Sequence, residues 1–324
     1  MNRPSRSTEV REQRSVFYFL PEGAGEMPRP FGELYSHMFM EDVSQNLLPA
    51  YTRRRNSGVT VEIFPANKEL QSMVTAALDI SHRSRYHGDL EDALAEFLRL
   101  TMVELCLAPR ATFEIVYVRP KAGEPPARFE LFHINPRQIV ERRGHLVQVV
   151  PPEIARERDV EEMILLPAEN LAVFTLPYEL ARPVAAAMPT LAALSDHRWH
   201  LLALEAQKQG LPYEFSVHER SMQLALAEAV RDIGWTARGS FNEKVFNYYW
   251  LRQELRFKLF ELAVREALVA QLNTVLQRVG SALGWSAQLS LTGLPSRAEL
   301  ERALDQLASG SMPFTKILDS VRGY

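Results

Sequence analysis

A mixed α+β fold, mainly α, is what the chain predicts, and three observations carry that expectation. Residues 241–279, "FNEKVFNYYWLRQELRFKLFELAVREALVAQLNTVLQRV", contain neither glycine nor proline. Several other stretches space their apolar residues at helical intervals. Between them, at about 110–178, lies a module of short alternating strands broken by prolines, quoted most simply as "FELFHINPRQIVERRGHLVQVV" and "ILLPAENLAVFTLP".

Residues 1–14 are polar and charged without periodicity, and a mobile tail is expected there. "SVFYFL" reads as a short strand and "PEGAGEMPRP" as a loop. From Phe31 to about Tyr51 the residues Leu34, Met38, Phe39 and Val43 recur as on a helix, followed by the basic turn "YTRRRNSG" and the strand "VTVEIF". Two helices come next. "NKELQSMVTAALDI" has Asn67 as its cap. "LEDALAEFLRLTMVELCLA" starts after Asp89, carries Glu91 and Asp92 in its first turn where the helix dipole favours them, and is stopped by Pro109.

In the β module, "TFEIVYV", "FELFHI", "HLVQVV" and "LAVFTLP" are the expected strands, with prolines at their ends that suit a sheet edge. Glu114 and Glu130 alternate with apolar strand residues and are expected to face solvent, and "EIARERDVEE", with Glu161 and Glu162, reads as a charged linker. Helix returns over Val184–Gln209, where Pro189 predicts a kink or a late start. "LPYEFSV" reads as a strand, "ERSMQLALAEAVRDI" as a helix and "GWTARGS" as a glycine-bounded loop. The long helix follows, extending roughly 58 Å at about 1.5 Å per residue. After it stand a strand, "SAQLSLTGL", and a helix opened by a capping box of Ser296 and Glu299. No internal repeat is visible.

The 324 residues are 46% hydrophobic and 24% charged, enough to form a sizeable core. A net charge of -3 and a pI near 6.3 disfavour a protein built for tight phosphate neutralisation. Cys106 is the single cysteine, in an apolar run, and reads as a small buried hydrophobe in a reducing compartment. Neither a signal peptide nor a span of about 18 apolar residues is present, so a soluble, cytoplasmic protein is expected.

No phosphate loop, dinucleotide fingerprint, nucleophile elbow or paired CxxC occurs, and no catalytic residue, cofactor or metal is expected. His197 and His200 lie three apart beside Asp196 and form an alternative metal pair without a third ligand nearby. His82 and His87 flank arginines in a turn suited to an anion, and His133 is a strand residue. "NYYWLRQELRFKLF" mixes aromatics with Arg252, Arg256 and Lys258, though at helical spacing the aromatics are expected to pack inward. Arg53, Arg54 and Arg55 form a basic turn, a candidate phosphate or partner contact.

The order of these pieces resembles the portal proteins of tailed bacteriophages, in the HK97-like branch. The resemblance runs from about residue 80 to residue 300: a long helix ends in "TFEIVYVRP…FELFHINPRQIVERRGHLVQV", then come "ILLPAENLAVFTLP", another helix, and late in the chain "SFNEKVFNYYWLRQELRFKLFELAVREALVAQLN". No single step is diagnostic; order and spacing carry it. The chain is shorter than most members of that family, and the glycine expected before the first clip strand is absent, with "LAPRATFEIVYV" in its place.

The resemblance implies an elongated subunit with long stem and tunnel helices, a small β-containing clip and a mixed α/β wing. A tail over 1–14 would be followed by wing at 15–88, stem helix at 89–108, clip at 109–181 and stem helix at 182–209. Wing at 210–232, a tunnel loop at 233–243 and a channel helix with short crown at 244–324 complete the chain. It implies a non-enzymatic ring of about twelve copies at one capsid vertex, closed by heterologous contacts. The ring would be a conduit for double-stranded DNA in packaging and ejection. Partners would be the terminase large subunit, the major capsid or scaffold protein and a head–tail adaptor, with no membrane involved. The virion, and the host cytoplasm during assembly, are the implied locations. Trp235, Arg238 and Lys244 would face DNA, and Arg137, Arg142 and Arg143 in the clip would meet DNA or a partner. Alternatives are a nucleic-acid-binding or head-assembly adaptor that forms no ring, and a metal-dependent enzyme built on His197 and His200.

Overall fold

A computed structural model of the chain describes residues 9–18, 34–48, 59–79, 89–194, 214–239, 247–313 and 315–317. The fold is mixed α+β and mainly α, as expected, and the described residues form no closed barrel. It divides into two compact units. The first gathers the described residues of Met1–Leu20, Val59–Thr175 and Ala267–Thr292; the second gathers those of Pro21–Gly58, Leu176–Glu266 and Gly293–Tyr324.

In the first unit, strands β1 (Val10–Arg11), β2 (Thr60–Phe64), β3 (Ala111–Arg119) and β4 (Arg128–Ile134) combine with helices α2 (Lys68–Leu78) and α3 (Leu90–Leu107). The two helices start where the sequence puts their caps. The Asn67 side chain accepts from the Glu69 and Leu70 amides, and the Asp89 side chain accepts from the Asp92 amide. Cys106, near the end of α3, is buried as expected, and burial pushes its thiol up to about 12. Beyond β4 come β5 (Ile139–Arg142), β6 (His145–Val149), helix α4 (Pro152–Arg158), β7 (Met163–Leu166) and β8 (Leu171–Phe174).

The β module is therefore two sheets. In one, β3 pairs with β4 along one edge and with β1 and β8 along the other. In the other, β6 lies between β5 and β7. The expectation of short edge strands fails for β3, which is a central strand buried over most of its length. Phe97 of α3, Phe113 of β3 and Phe174 of β8 meet at centroid distances of 5.2–5.7 Å. Burying each ring contributes about 1.5–3 kcal/mol.

Glu114 does not face solvent. It is 1% exposed, and its carboxylate accepts from the backbone amides of Arg14 at 2.7 Å and Ser15 at 2.8 Å, and from the Ser15 hydroxyl. Residues 9–18 are thus an ordered strap rather than a free tail. After β1 the Glu12 amide donates to the Tyr117 carbonyl. Further on, the buried Gln148 side chain accepts from the Val16 amide and donates to the Val16 carbonyl, both at 2.8 Å. Gln138 donates to the Tyr18 carbonyl, and the Tyr18 hydroxyl donates to the Val149 carbonyl. "SVFY" forms no strand; side chains satisfy its backbone instead of a ladder. Glu130 is a second departure, held in ion pairs with Arg11 and Arg128.

The second unit is helical: α1 (Leu34–Gln45), α5 (Tyr178–Leu194), α6 (Phe215–Ala229) and α8 (Arg297–Ser309), with much of α7 (Asn247–Leu283). The last part of α7 belongs to the first unit. There Asn273 bonds both the amide and the carbonyl of Leu289, in β9 (Gln288–Thr292), the partner of β2.

Helix α5 starts early, at Tyr178, and runs through Pro183 and Pro189, so the predicted late start is corrected. The carbonyls those prolines cannot bond belong to Glu179 and Ala185, both exposed residues, where water can donate to them. Val184, Ala187 and Leu191 keep one buried face intact. "FSV" is helical, not a strand, and "EIARER" forms α4 instead of a linker. At α8 the Ser296–Glu299 capping box is present in both directions, worth about 1 kcal/mol. Leu251, Leu255 and Leu262 of α7 pack on Leu300, Ala303 and Leu307 of α8.

Candidate functional site

Two groups of predicted residues are described, one in each unit. In the second unit, α6 gives way at Val230 to a turn in which the Gly234 amide donates to the Val230 carbonyl at 2.8 Å. Gly234 has φ +89, and a Cβ placed on it would stand 2.7 Å from the Gln253 carbonyl oxygen and from the Phe257 nitrogen of α7. Only glycine allows so close a backbone approach in that conformation. Ala237 and Arg238 follow with φ of 48° and 53°, in the left-handed region.

The loop's side chains turn inward onto α1. Trp235 is 2% exposed, packs edge-on against Phe39 at 5.4 Å and donates its indole N–H to Asp42 at 2.8 Å. This is the reverse of the outward orientation the sequence suggests, because an indole that finds both a ring and a carboxylate gains more by burial than by exposure. Arg238 donates to both acids of α1, through Nε and Nη2 to Asp42 and through Nη2 to Glu41 at 2.5 Å. Its hydrogen bonds and charge hold the Glu41 carboxyl below the usual carboxylate range. Nearly half of the Arg238 side chain still meets solvent. Lys244 lies outside the described residues, as do Arg53, Arg54, Arg55, His82, His87, His197 and His200.

Behind this contact α7 carries two buried charged residues that went unnoticed in the sequence, Glu261 and Arg265. Arg265 donates to the Leu47 carbonyl at 3.2 Å. Burial pushes the Glu261 carboxyl up to about 8 against the pull of Lys258, Asn46 and Arg265, with Asp42 adding to the rise. The spacing i, i+4 in "ELAVR" was the one available signal, and on a helix surface it would mean an ordinary exposed pair. Because the folded state holds the Glu261 proton more tightly than the unfolded chain, stability falls as pH rises through the window from about 4.5 to about 8. Thermal denaturation between pH 5 and 8 is expected to show this loss, on the order of a few kcal/mol. Glu261→Gln should flatten the profile.

In the first unit, β5 and β6 are joined by Arg143 and Gly144, with φ of 51° and 77°, the two-residue type I′ connection that suits a twisted hairpin. Arg142 and Arg143 are exposed at this tip, and the Arg142 guanidinium contacts the Met163 sulfur at 3.3 Å. Arg137 sits at the other end of β5 in a 3₁₀ turn capped by Asn135. Of the three arginines only Arg142 is in β5, with Arg143 in the turn after it and Arg137 in the turn before it, at the opposite end of the strand. One face of this sheet is buried through Ile139, Leu146, Ile164 and Leu166. The opposite face exposes Val140, Val149, Met163 and Leu165.

No protein-family model matches the chain, and no curated protein matches it. Among solved structures the chain is similar to one described as "Neck of empty GTA particle computed with C6 symmetry", at 13% identity and a TM-score of 0.46, over 90% of this chain and 92% of that chain. Among the described residues no helix is long and apolar enough to cross a membrane.

Proposed function

We propose that the chain is a subunit of a portal-type ring at a capsid vertex, a conduit for double-stranded DNA and a docking platform for packaging and head-completion proteins. The observation that supports this reading best is the order of elements: helix α3, a β module with an exposed apolar face and a basic hairpin tip, helix α5, then α6, a tightly held loop and the 37-residue α7. In this reading α3 and α5 are the stem helices, the β module is the clip, and the loop before α7 is the tunnel loop. A subunit repeated around a channel needs little positive charge of its own, and a chain of net charge -3 leaves the duplex free to slide. The sequence carries no phosphate-binding loop, so the packaging motor is a separate chain, the terminase large subunit.

The inward Trp235 refines the tunnel-loop assignment. Trp235 anchors the loop from within, and Arg238, partly exposed, is the residue of the pair that DNA would meet. The remaining DNA or partner contacts in this reading are Lys244, Arg137, Arg142 and Arg143, with Arg53–Arg55 as a basic contact. Native mass spectrometry with negative-stain microscopy of the purified chain tests the proposal. A closed ring of about a dozen subunits around a channel is the expected result. A monomer or compact dimer at every concentration, binding DNA with strong salt dependence, overturns it in favour of an assembly adaptor.

A further inference from the structure

Among the described residues the sheet β5–β6–β7 is open on both sides, since there β5 and β7 pair only with β6. Backbone register sets Val140, Val147 and Leu165 level with one another across the three strands. Side chains at one level share a face, so these form a single apolar row. Val147 in the middle is 7% exposed, while the ends of the row are open, Val140 at 37% and Leu165 at 51%. Such a row is completed by another sheet edge at either end.

The two edges also differ in charge. Beside β5 stand Arg142 and Arg143, and beside β7 stand Glu161, Glu162 and Glu169, all exposed. None of these five has an ion-pair partner among the described residues. Carried across the ladder, Arg142 is level with His145 and so with Pro167, two residues before Glu169. Both β5 and β7 run antiparallel to β6, hence parallel to each other. A copy related by rotation about a ring axis would therefore bring its β5 alongside β7 as a parallel pair, with Val140 meeting Leu165 and with Arg142 and Arg143 at the end of β7 where Glu169 stands.

We infer that the β5 edge of one copy pairs with the β7 edge of the next, so that the three-stranded sheet continues from subunit to subunit. The occupant of each edge is a second copy of this chain, and the contact is heterologous, the kind that closes into rings. This rests on the ring reading and names the surface that closes it.

The test is a cysteine pair, Val140→Cys with Leu165→Cys, in the full chain. Within one copy these positions are two strand spacings apart, about 9.5 Å, beyond the ~7 Å reach of a disulfide. Any bond that forms between them therefore joins two copies, and the native Cys106 is buried. Mild oxidation of the pair is expected to give a ladder on non-reducing gels that extends to the full ring. Either single variant should give no ladder. Native mass spectrometry of the reduced variant reads the ring itself. A ring without a ladder overturns the edge pairing and leaves the ring reading standing, while neither ring nor ladder overturns both. Dimers from a single variant, in the yield the pair gives, show a two-fold contact and overturn the edge pairing. Arg142→Glu with Arg143→Glu in the cysteine-pair chain should abolish the ladder, and adding Glu169→Lys should restore it. An unchanged ladder after the arginine reversal removes the role given to edge charge.

Discussion

Glu114→Ala is expected to release residues 9–18 from the β3 surface and to destabilise the first unit by about 3–5 kcal/mol. The substitution leaves the amides of Arg14 and Ser15 without their acceptor in a buried place, and each orphaned donor costs about 1–3 kcal/mol. The void left by the side chain adds to that. Glu114→Gln keeps the size and one carbonyl oxygen, so an intermediate loss is expected. Hydrogen exchange at residues 10–18, together with tryptic cleavage at Arg11 and Arg14, reads the release directly. If exchange there stays at the wild-type rate in Glu114→Ala, the strap is held by β1 and the glutamines alone.

The second large effect is expected at Gly234→Ala. A residue with a Cβ pays roughly 1–2 kcal/mol in the left-handed region, and at this position the new methyl meets α7 backbone atoms at 2.7 Å. Backbone in a helix cannot step aside as a flexible side chain can, so a loss of about 2–4 kcal/mol is expected. The consequence beyond stability is that the loop moves off α7, and the contacts of Trp235 and Arg238 with α1 go with it. A drop in thermal stability with a shift of tryptophan emission to longer wavelength would register both. By contrast Arg238→Ala, which removes a partly exposed ion pair, should change stability by about 1 kcal/mol or less. That difference makes Arg238 a clean probe of the DNA contact proposed for this loop, whereas Gly234 reports on folding.

What the sequence shows and hides divides along the distance between partners. The caps at Asn67, Asp89 and Ser296 bond residues two or three positions away, and all three were legible. The central place of β3 was not. Its alternation looks like a one-sided strand, and the residues that cover Glu114 stand about a hundred positions upstream. Trp235 was misread for the same reason, since Asp42 lies 193 positions away. The strands β5 and β7 escaped because four residues beside a proline turn carry too little period to be seen. Helix α4 escaped because charges dominate a helix only seven residues long. Of the candidate site, Arg137, Arg142 and Arg143 could be named in advance, but their placement at the two ends of β5 needed the hairpin. The buried Glu261 and Arg265 could not be separated from a surface pair without knowing that Asn46 and Leu47, just past α1, meet them.

The pairing of β2 with β9 has a consequence for how the protein is made. Thr60–Phe64 leaves the ribosome more than two hundred residues before its partner Gln288–Thr292 exists. At a synthesis rate of about 5–20 residues per second, β2 waits some ten seconds or more with an open edge. The second unit draws on three separated parts of the chain as well, and α8 is among the final segments to appear. The first unit has all its parts only once residue 292 has been made, and the second only after that. A nascent chain halted before residue 288 therefore holds no finished half.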